Sequence, residues 1–241
     1  MSWTVTSRAP GSASSICSPR CQWRAVPVRF GSSATLHRRF QQWVEKGVFT
    51  DIFTILVRYY DELRGIDWHW MSMDGSISKA PKGGAGTGRN PTDRGKSGVK
   101  RHVLSDGRGV PVAVTVSAAN VNDNRVAEQT LDSVLVKAGR GLRRPEHLCL
   151  DKGYDDRKVR AALKKRRIIG HIRRRGEVPL LGRVKGKPRR WVIERTHSWH
   201  TRFRSVLIRW ETKVKNYQAI VHLASGLIAF QQAICNGYSM F

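Results

Sequence analysis

Trp68-His69-Trp70-Met71-Ser72-Met73-Asp74-Gly75-Ser76-Ile77 is the stretch on which the reading of this chain turns. Trp70, Ser72, Asp74 and Ser76 fall on one side of an extended chain, and Met71, Met73 and Ile77 on the other. That period of two marks a strand. Beyond it, the glycine-rich basic run Lys79 to Arg89 predicts a flexible loop. Val99 to Ser105 and Val110 to Ala118 then predict a hairpin across Asp106-Gly107-Arg108-Gly109. The polar run Asn120 to Asn124 opens a helix carrying Val126, Thr130, Leu131, Val134 and Leu135. Leu148-Cys149-Leu150 reads as a strand ending at Asp151, followed by a turn at Gly153 and a basic helix through Val159, Ala162 and Leu163. Ile168 to Ile172 is a last strand. Arg173 to Arg190 is a basic connector to a helix around Glu194, and Asn216 to Ile234 forms a closing helix. The order implies an α/β fold, a mixed sheet of three antiparallel and then two parallel strands flanked by helices.

Upstream, Met1 to Arg20 is rich in Ser, Arg, Pro and Gly without a regular period and reads as a disordered or unrelated leader. Residues 21–65 form a small helical region. Leu36, Phe40, Trp43 and Val44 repeat at helical spacing with Arg38 and Arg39 outside, and Ile52, Ile55, Leu56, Tyr59 and Leu63 form a second helix after Gly47. Two readings stand for this pair, a DNA-reading helix-turn-helix and a helical cap on the following domain, which would be residues 66–241.

The charge narrows the partners. Lys and Arg number 44 against 18 Asp and Glu, a formal net charge of +26. Such an excess opposes compaction unless a polyanion neutralises it, and nucleic acid is the default polyanion. The basic residues are spread over strands and loops rather than gathered on one amphipathic helix, which argues against a membrane surface. The apolar stretch Ala219 to Phe230 is broken by His222 and Ser225 and is short for a bilayer span. Cys17, Cys21, Cys149 and Cys235 are too few and too irregular for a disulfide framework, which fits a reducing cytoplasm. No second Cys/His pair follows Cys17 and Cys21 at finger spacing, so ordinary thiols are the simpler reading. Gly95-Lys96-Ser97 lacks the leading glycine of a phosphate loop, since Asn90 stands there, and no nucleotide cofactor is expected.

In so basic a chain, acids within strands stand out. Asp93, Asp106, Asp155 and Asp156 sit in turns or helix starts, where Asp bonds local amides. Asp74 lies within a strand and Asp151 ends one. On the helix Trp191 to Arg204, Val192, Thr196, Trp199 and Phe203 form one face, while Arg190, His197 and Thr201 gather around an outward Glu194. If the two strands are neighbours and the helix crosses them, three carboxylates converge and repel unless cations are bound. Oxygen donors suit Mg²⁺ or Mn²⁺, and two such ions support in-line displacement at phosphorus. His197 and His200, three residues apart on a helix, have ordinary surface spacing.

Asp74-Gly75-Ser76, Leu150-Asp151-Lys152-Gly153-Tyr154-Asp155, and Ile193-Glu194-Arg195-Thr196-His197-Ser198-Trp199 followed by Arg202-Phe203-Arg204 resemble the DDE transposases of bacterial insertion sequences, and within them the insertion-sequence-five family. Cys21-Gln22-Trp23-Arg24-Ala25-Val26-Pro27, Arg94 to His102 and Asn120-Val121-Asn122-Asp123 support the likeness, which runs from about Cys21 to Ile234. The resemblance implies an RNase H-like catalytic domain in which Asp74, Asp151 and Glu194 are catalytic and hold two Mg²⁺ or Mn²⁺ ions. It implies DNA contacts from Arg195 and Arg202, and from Lys96, Lys100, Arg101 and Arg204 within the matching stretches. Arg190 is a phosphate contact or an ion-pair partner of Glu194, and Arg38 and Arg39 belong to the DNA-reading alternative. The implied partners are transposon inverted repeats and target DNA, bound by a homodimer in the nucleoid. Family members carry a further helical segment before Cys21, so a non-catalytic, truncated DNA-binding remnant is the alternative reading.

Overall fold

In the computed structural model, which describes residues 23–138, 141–142, 144–172 and 190–235, the alternating stretch forms strand β1, Trp70–Lys79. It starts two residues later than the alternation suggests. The Asp67 carboxylate accepts hydrogen bonds from the amides of His69 at 3.1 Å and Trp70 at 3.3 Å, a local turn that holds Trp68 out of the strand. Strand β2, Ser97–Ser105, lies antiparallel to β1 with Val103 opposite Asp74. Strand β3, Pro111–Ala118, returns antiparallel to β2. Strand β4, His147–Leu150, runs parallel to β1 on its other side, and β5, Ile169–Ile172, runs parallel to β4. The order is β3-β2-β1-β4-β5, and the two-residue strand Gly88–Arg89 pairs with the start of β2. This mixed sheet, flanked by helices, is RNase H-like.

The hairpin turn is built as its composition demands. Asp106 is fully buried, and its carboxylate accepts from Val110 N at 2.8 Å, Arg108 N at 3.0 Å and the Tyr60 hydroxyl at 2.9 Å. Burial pushes its carboxyl above the usual range against the pull of these donors. Through Tyr60 the turn is tied to the N-terminal helices.

Those helices are α1, Ser33–Glu45, and α2, Val48–Arg64, joined at Gly47 in a left-handed conformation with φ of 74°. Ser32 caps α1 by accepting from Thr35 N at 3.2 Å. Helix α2 packs along the closing helix α7, Val214–Ile234, where Gly226 allows close approach to the backbone of Phe53. Phe53, Val57 and Tyr60 share one core with Met71, Val103, Val112, Leu148, Val221 and Ala229. Helix α7 is buried around most of its circumference, as its nearly unbroken apolar sequence requires. Among the described residues, no helix is long and apolar enough to cross a membrane.

The helix after Asn124 is shorter than its apolar spacing suggests. Helix α3 spans only Ala127–Asp132, because the Ser133 hydroxyl donates to Thr130 O at 2.9 Å and closes the turn. Val134 and Val136 are buried from an extended segment instead. Helix α4, Arg157–Lys165, carries the expected buried residues Val159, Ala162 and Leu163 and leads into β5.

The glycine-rich loop is strapped down rather than loose. Arg209, fully buried, donates from Nη2 to Ala85 O at 2.6 Å and Thr212 O at 2.9 Å, and Ala85 N donates to Thr212 O at 3.0 Å. Gly84, at φ of 107°, lies so near Thr212 that any Cβ would fall 2.3 Å from its carbonyl oxygen. The leader, Cys17, Cys21 and most of the basic connector lie outside the described residues; Cys149 and Cys235 form no disulfide.

Candidate active site

The parallel ladder between β1 and β4 ends with Met73 opposite Leu150, so the next residues on the two strands, Asp74 and Asp151, come side by side. Adjacent strands run about 4.8 Å apart. A backbone amide orients each carboxylate: Asp74 Oδ1 accepts from Gly75 N at 2.8 Å, and Asp151 Oδ1 from Lys152 N at 2.7 Å. Asp151 thereby caps the short 3-10 turn Lys152–Tyr154 that reverses the chain toward α4.

Helix α5, Arg190–Arg202, which is followed by the single turn α6, Arg204–Leu207, lies against β1 and β2. Its inner face differs from the apolar face expected. Val192, Ile193, Thr196 and His200 are buried, whereas Trp199 is half-buried. Thr196 lies inside as expected and His200 joins it, because the bonds of both are met there. Thr196 Oγ1 donates to Gly109 O at 2.7 Å, and His200 Nε2 and Ser225 Oγ share a hydrogen bond at 2.8 Å. Trp199 and Trp191 instead flank the Arg195 guanidinium, whose carbon lies 5.0 Å and 4.7 Å from the two ring centres. His197 Nε2 comes within 3.7 Å of Asp74 Oδ2. Glu194, one turn before His197 on the same helix, is exposed.

A further acid sits at this place. Asp123 Oδ1 lies 2.9 Å from Lys100 Nζ and 3.6 Å from His102 Nδ1. A Cβ on Gly75 would fall 2.6 Å from Asp123 Oδ1, and one on Gly153 would fall 3.6 Å from Oδ2. The glycine after Asp74 thus makes room for Asp123. Burial pushes the Asp123 carboxyl up, Lys100 pulls it down, and the charges of Asp74 and Asp151 push it up again. The same three aspartates, after burial, hold the Tyr154 phenol well above its usual range. Sequence reading passed over Asp123 because an acid before a helix is an ordinary local cap; its place in the matching Asn120 to Asp123 stretch was the available signal.

The donor set suits a hard dication. Asp74, Asp123 and Asp151 offer only oxygen, and their mutual repulsion is felt at Asp123 and Tyr154. Tyr154 Oη and both ring nitrogens of His197 are buried without a hydrogen-bond partner, as expected around a site built to be filled.

Residues 66–228 match the family described as "Transposase DDE domain", and residues 15–53 match "Putative transposase of IS4/5 family (DUF4096)". The chain belongs to the DDE transposases. It is 38% identical over 147 residues to the "Putative transposase for insertion sequence element IS402" of Burkholderia cepacia, covering 60% of this chain and 68% of that one. Among solved structures, a simian T-cell lymphotropic virus intasome in complex with PP2A regulatory subunit B56 gamma overlaps 65% of the transposase and 48% of its own chain, at 14% identity and a TM-score of 0.42. The catalytic core of BIV integrase overlaps 72% of the transposase and 87% of its own chain, at 13% identity and a TM-score of 0.36. The transposase spans about half the length of the intasome chain.

The basic residues expected on DNA divide into two groups. Arg38, Arg39, Lys96, Arg202 and Arg204 are exposed. Arg101 is not: the residue is 1% exposed and its guanidinium donates to Val206 O at 2.7 Å, so it serves the packing of β2 and corrects the expectation of a DNA contact. Lys100 is likewise buried and committed to Asp123. Arg195 is held between its two tryptophans and donates to the carbonyl of Arg108. The side chain of Arg190 lies outside the described residues.

Proposed function

We propose that the transposase cleaves the phosphodiester at its transposon ends and directs the freed 3′-hydroxyl at target DNA, with Asp74, Asp151 and Glu194 as its catalytic acids. The observation that carries this reading is the side-by-side placement of Asp74 and Asp151 under the helix that bears Glu194. These three residues are the candidate holders of Mg²⁺ or Mn²⁺, two ions by the chemistry of in-line displacement. Bound there, such ions polarise the phosphodiester and stabilise charge on its attacking and leaving oxygens.

The chain's own groups prepare the place. Gly75 N and Lys152 N point Asp74 and Asp151, Lys100 offsets the charge of Asp123, and Tyr154 keeps its hydroxyl proton. The exposed Arg38, Arg39, Lys96, Arg202 and Arg204 take DNA phosphates, and a net charge of +26 makes that binding salt-dependent. The work belongs in the bacterial nucleoid, on paired inverted repeats held by a homodimer. Helices α1 and α2 are the DNA-reading part, and the sheet with α3 to α7 the catalytic part.

The test is incubation of the purified protein with DNA bearing the inverted repeats of its element, with Mg²⁺ or Mn²⁺. Nicking at the repeat boundary is expected, falling by about 10³-fold or more in Asp74→Ala, Asp151→Asn and Glu194→Gln. Unchanged cleavage in Asp151→Asn overturns the assignment. Binding without metal-dependent cutting marks a passive DNA-binding protein instead.

A further inference from the structure

Three imidazoles and a carboxylate gather at the end of the sheet where β1, β4 and β5 begin, away from the acids at the far end of the β1–β4 ladder. His69 precedes β1, Glu146 precedes β4, His147 opens β4, and His171 lies in β5. The backbone laces these starts together: His147 N donates to His69 O at 3.0 Å, Glu146 N to Trp68 O at 2.9 Å, and Ile169 N to Glu146 O at 2.8 Å. The side chains meet as closely. His69 Nδ1 is 2.7 Å from Glu146 Oε2, and His147 Nε2 is 3.8 Å from Glu146 Oε1. One donor atom from each of His69, Glu146 and His147 falls within 4.8 Å of the others.

The ring of His147 is fixed from two sides. Trp70 stacks on it with ring centres 4.4 Å apart and planes 14° from parallel. Its Nδ1 shares a hydrogen bond of 3.0 Å with His171 Nε2. When His147 donates from Nδ1 in that bond, the lone pair of its Nε2 faces Glu146. A lone pair facing a carboxylate oxygen is a repulsive arrangement, and a cation between them reverses its sign.

We propose that His69, Glu146 and His147 bind one transition-metal dication of the Zn²⁺ class, with His171 orienting the ring of His147. Bonds of about 2.0–2.2 Å at a tetrahedral ion place donors about 3.3 Å apart. His69 and Glu146, each 60% exposed at the side chain, reach that spacing by side-chain rotation. Two imidazoles and one carboxylate favour zinc, cobalt or nickel over Mg²⁺, which prefers oxygen alone. The site is therefore chemically distinct from the aspartate cluster. Three protein donors leave a fourth position for water, and the ion clamps the start of β1 to the start of β4.

The test uses the untagged full chain, stripped with a chelator and titrated with Co²⁺ in excess Mg²⁺ while visible d–d absorption is followed. One saturable equivalent is expected, displaced by Zn²⁺ and retained in Asp151→Asn. His69→Ala and His147→Ala are expected to lose it, and His171→Ala to weaken it by about 10–100-fold. His69 is exposed, so its variant decides the matter should His147→Ala fail to fold. The proposal is overturned if no saturable Co²⁺ binding occurs, if His69→Ala binds as the parent does, or if binding follows Asp151. A protonated His147 paired with Glu146 in place of a metal gives the first of these results.

Discussion

Gly75 shows how little room a single residue leaves at the aspartate cluster. Its missing side chain is the space that Asp123 Oδ1 occupies, 2.6 Å from where a Cβ would stand, with Lys100 Cδ at 2.9 Å. Gly75→Ala must push Asp123 and Lys100 aside, and Asp74 precedes it in the same strand. Cleavage is expected to fall by about 10²-fold, the scale reached when a catalytic group is misplaced by about 1 Å. Thermal unfolding should change little beyond the about 1–3 kcal/mol of overpacking. Full activity in this variant would show that Asp123 and its lysine are free to move without consequence. Arg101 teaches a related lesson: a basic residue in a basic stretch reads as a phosphate contact, yet this one is consumed by the carbonyl of Val206. One-dimensional pattern does not reveal which arginine has a buried acceptor waiting.

Among the elements, α5 carries the proposed third acid, Glu194, and is itself held by polar bonds. Thr196→Val removes the hydroxyl donated to Gly109 O and leaves that buried carbonyl without it. The expected cost is about 1–2 kcal/mol, a Tm lower by about 2–8 °C, measured by thermal unfolding. A Tm unchanged within error would mean that α5 is docked by its apolar residues alone. Strand β1 is legible from its period-two alternation and the last two strands from short apolar runs beside turn residues, while Asp74 stands out as an acid within a strand of a very basic chain. The inner face of α5 was legible in part: Val192 and Thr196 lie inside as expected, Ile193 and His200 join them, and Trp199 is only half-buried. Thr196 and His200 are polar, and only Gly109 and Ser225, far away in the chain, explain why they lie inside while Trp199 does not. Helix α3 was overextended for a similar reason, since the buried Val134 and Val136 keep an apolar pattern after the helix has ended.

For the whole molecule, buried neutral histidines set the response to acid. Burial brings His102 down to about 4 from 6.5, and holds His200 well below and His222 below the ordinary value. Above pH 6.5 these rings are neutral in folded and unfolded chains alike, and no stability difference arises from them. As the pH falls below 6.5 toward 4, the unfolded chain takes up protons that the folded one refuses, and stability drops. His102 alone accounts for roughly 3 kcal/mol across that interval. The denaturant midpoint of the metal-free protein should therefore decline from pH 7 to pH 5, and a flat profile contradicts the assignment. The bond between His200 and Ser225 also bears on synthesis. Helix α5 is anchored on α7, the last helix described, so a chain emerging from the ribosome can align Asp74 and Asp151 on paired strands well before its glutamate has a support. Domains settle as units once their parts are available, and here the helix bearing Glu194 gains this support only after translation has passed Ile234. A nascent chain whose synthesis has not yet reached Ile234 thus presents Asp74 and Asp151 on paired strands while α5 still lacks its seat on α7.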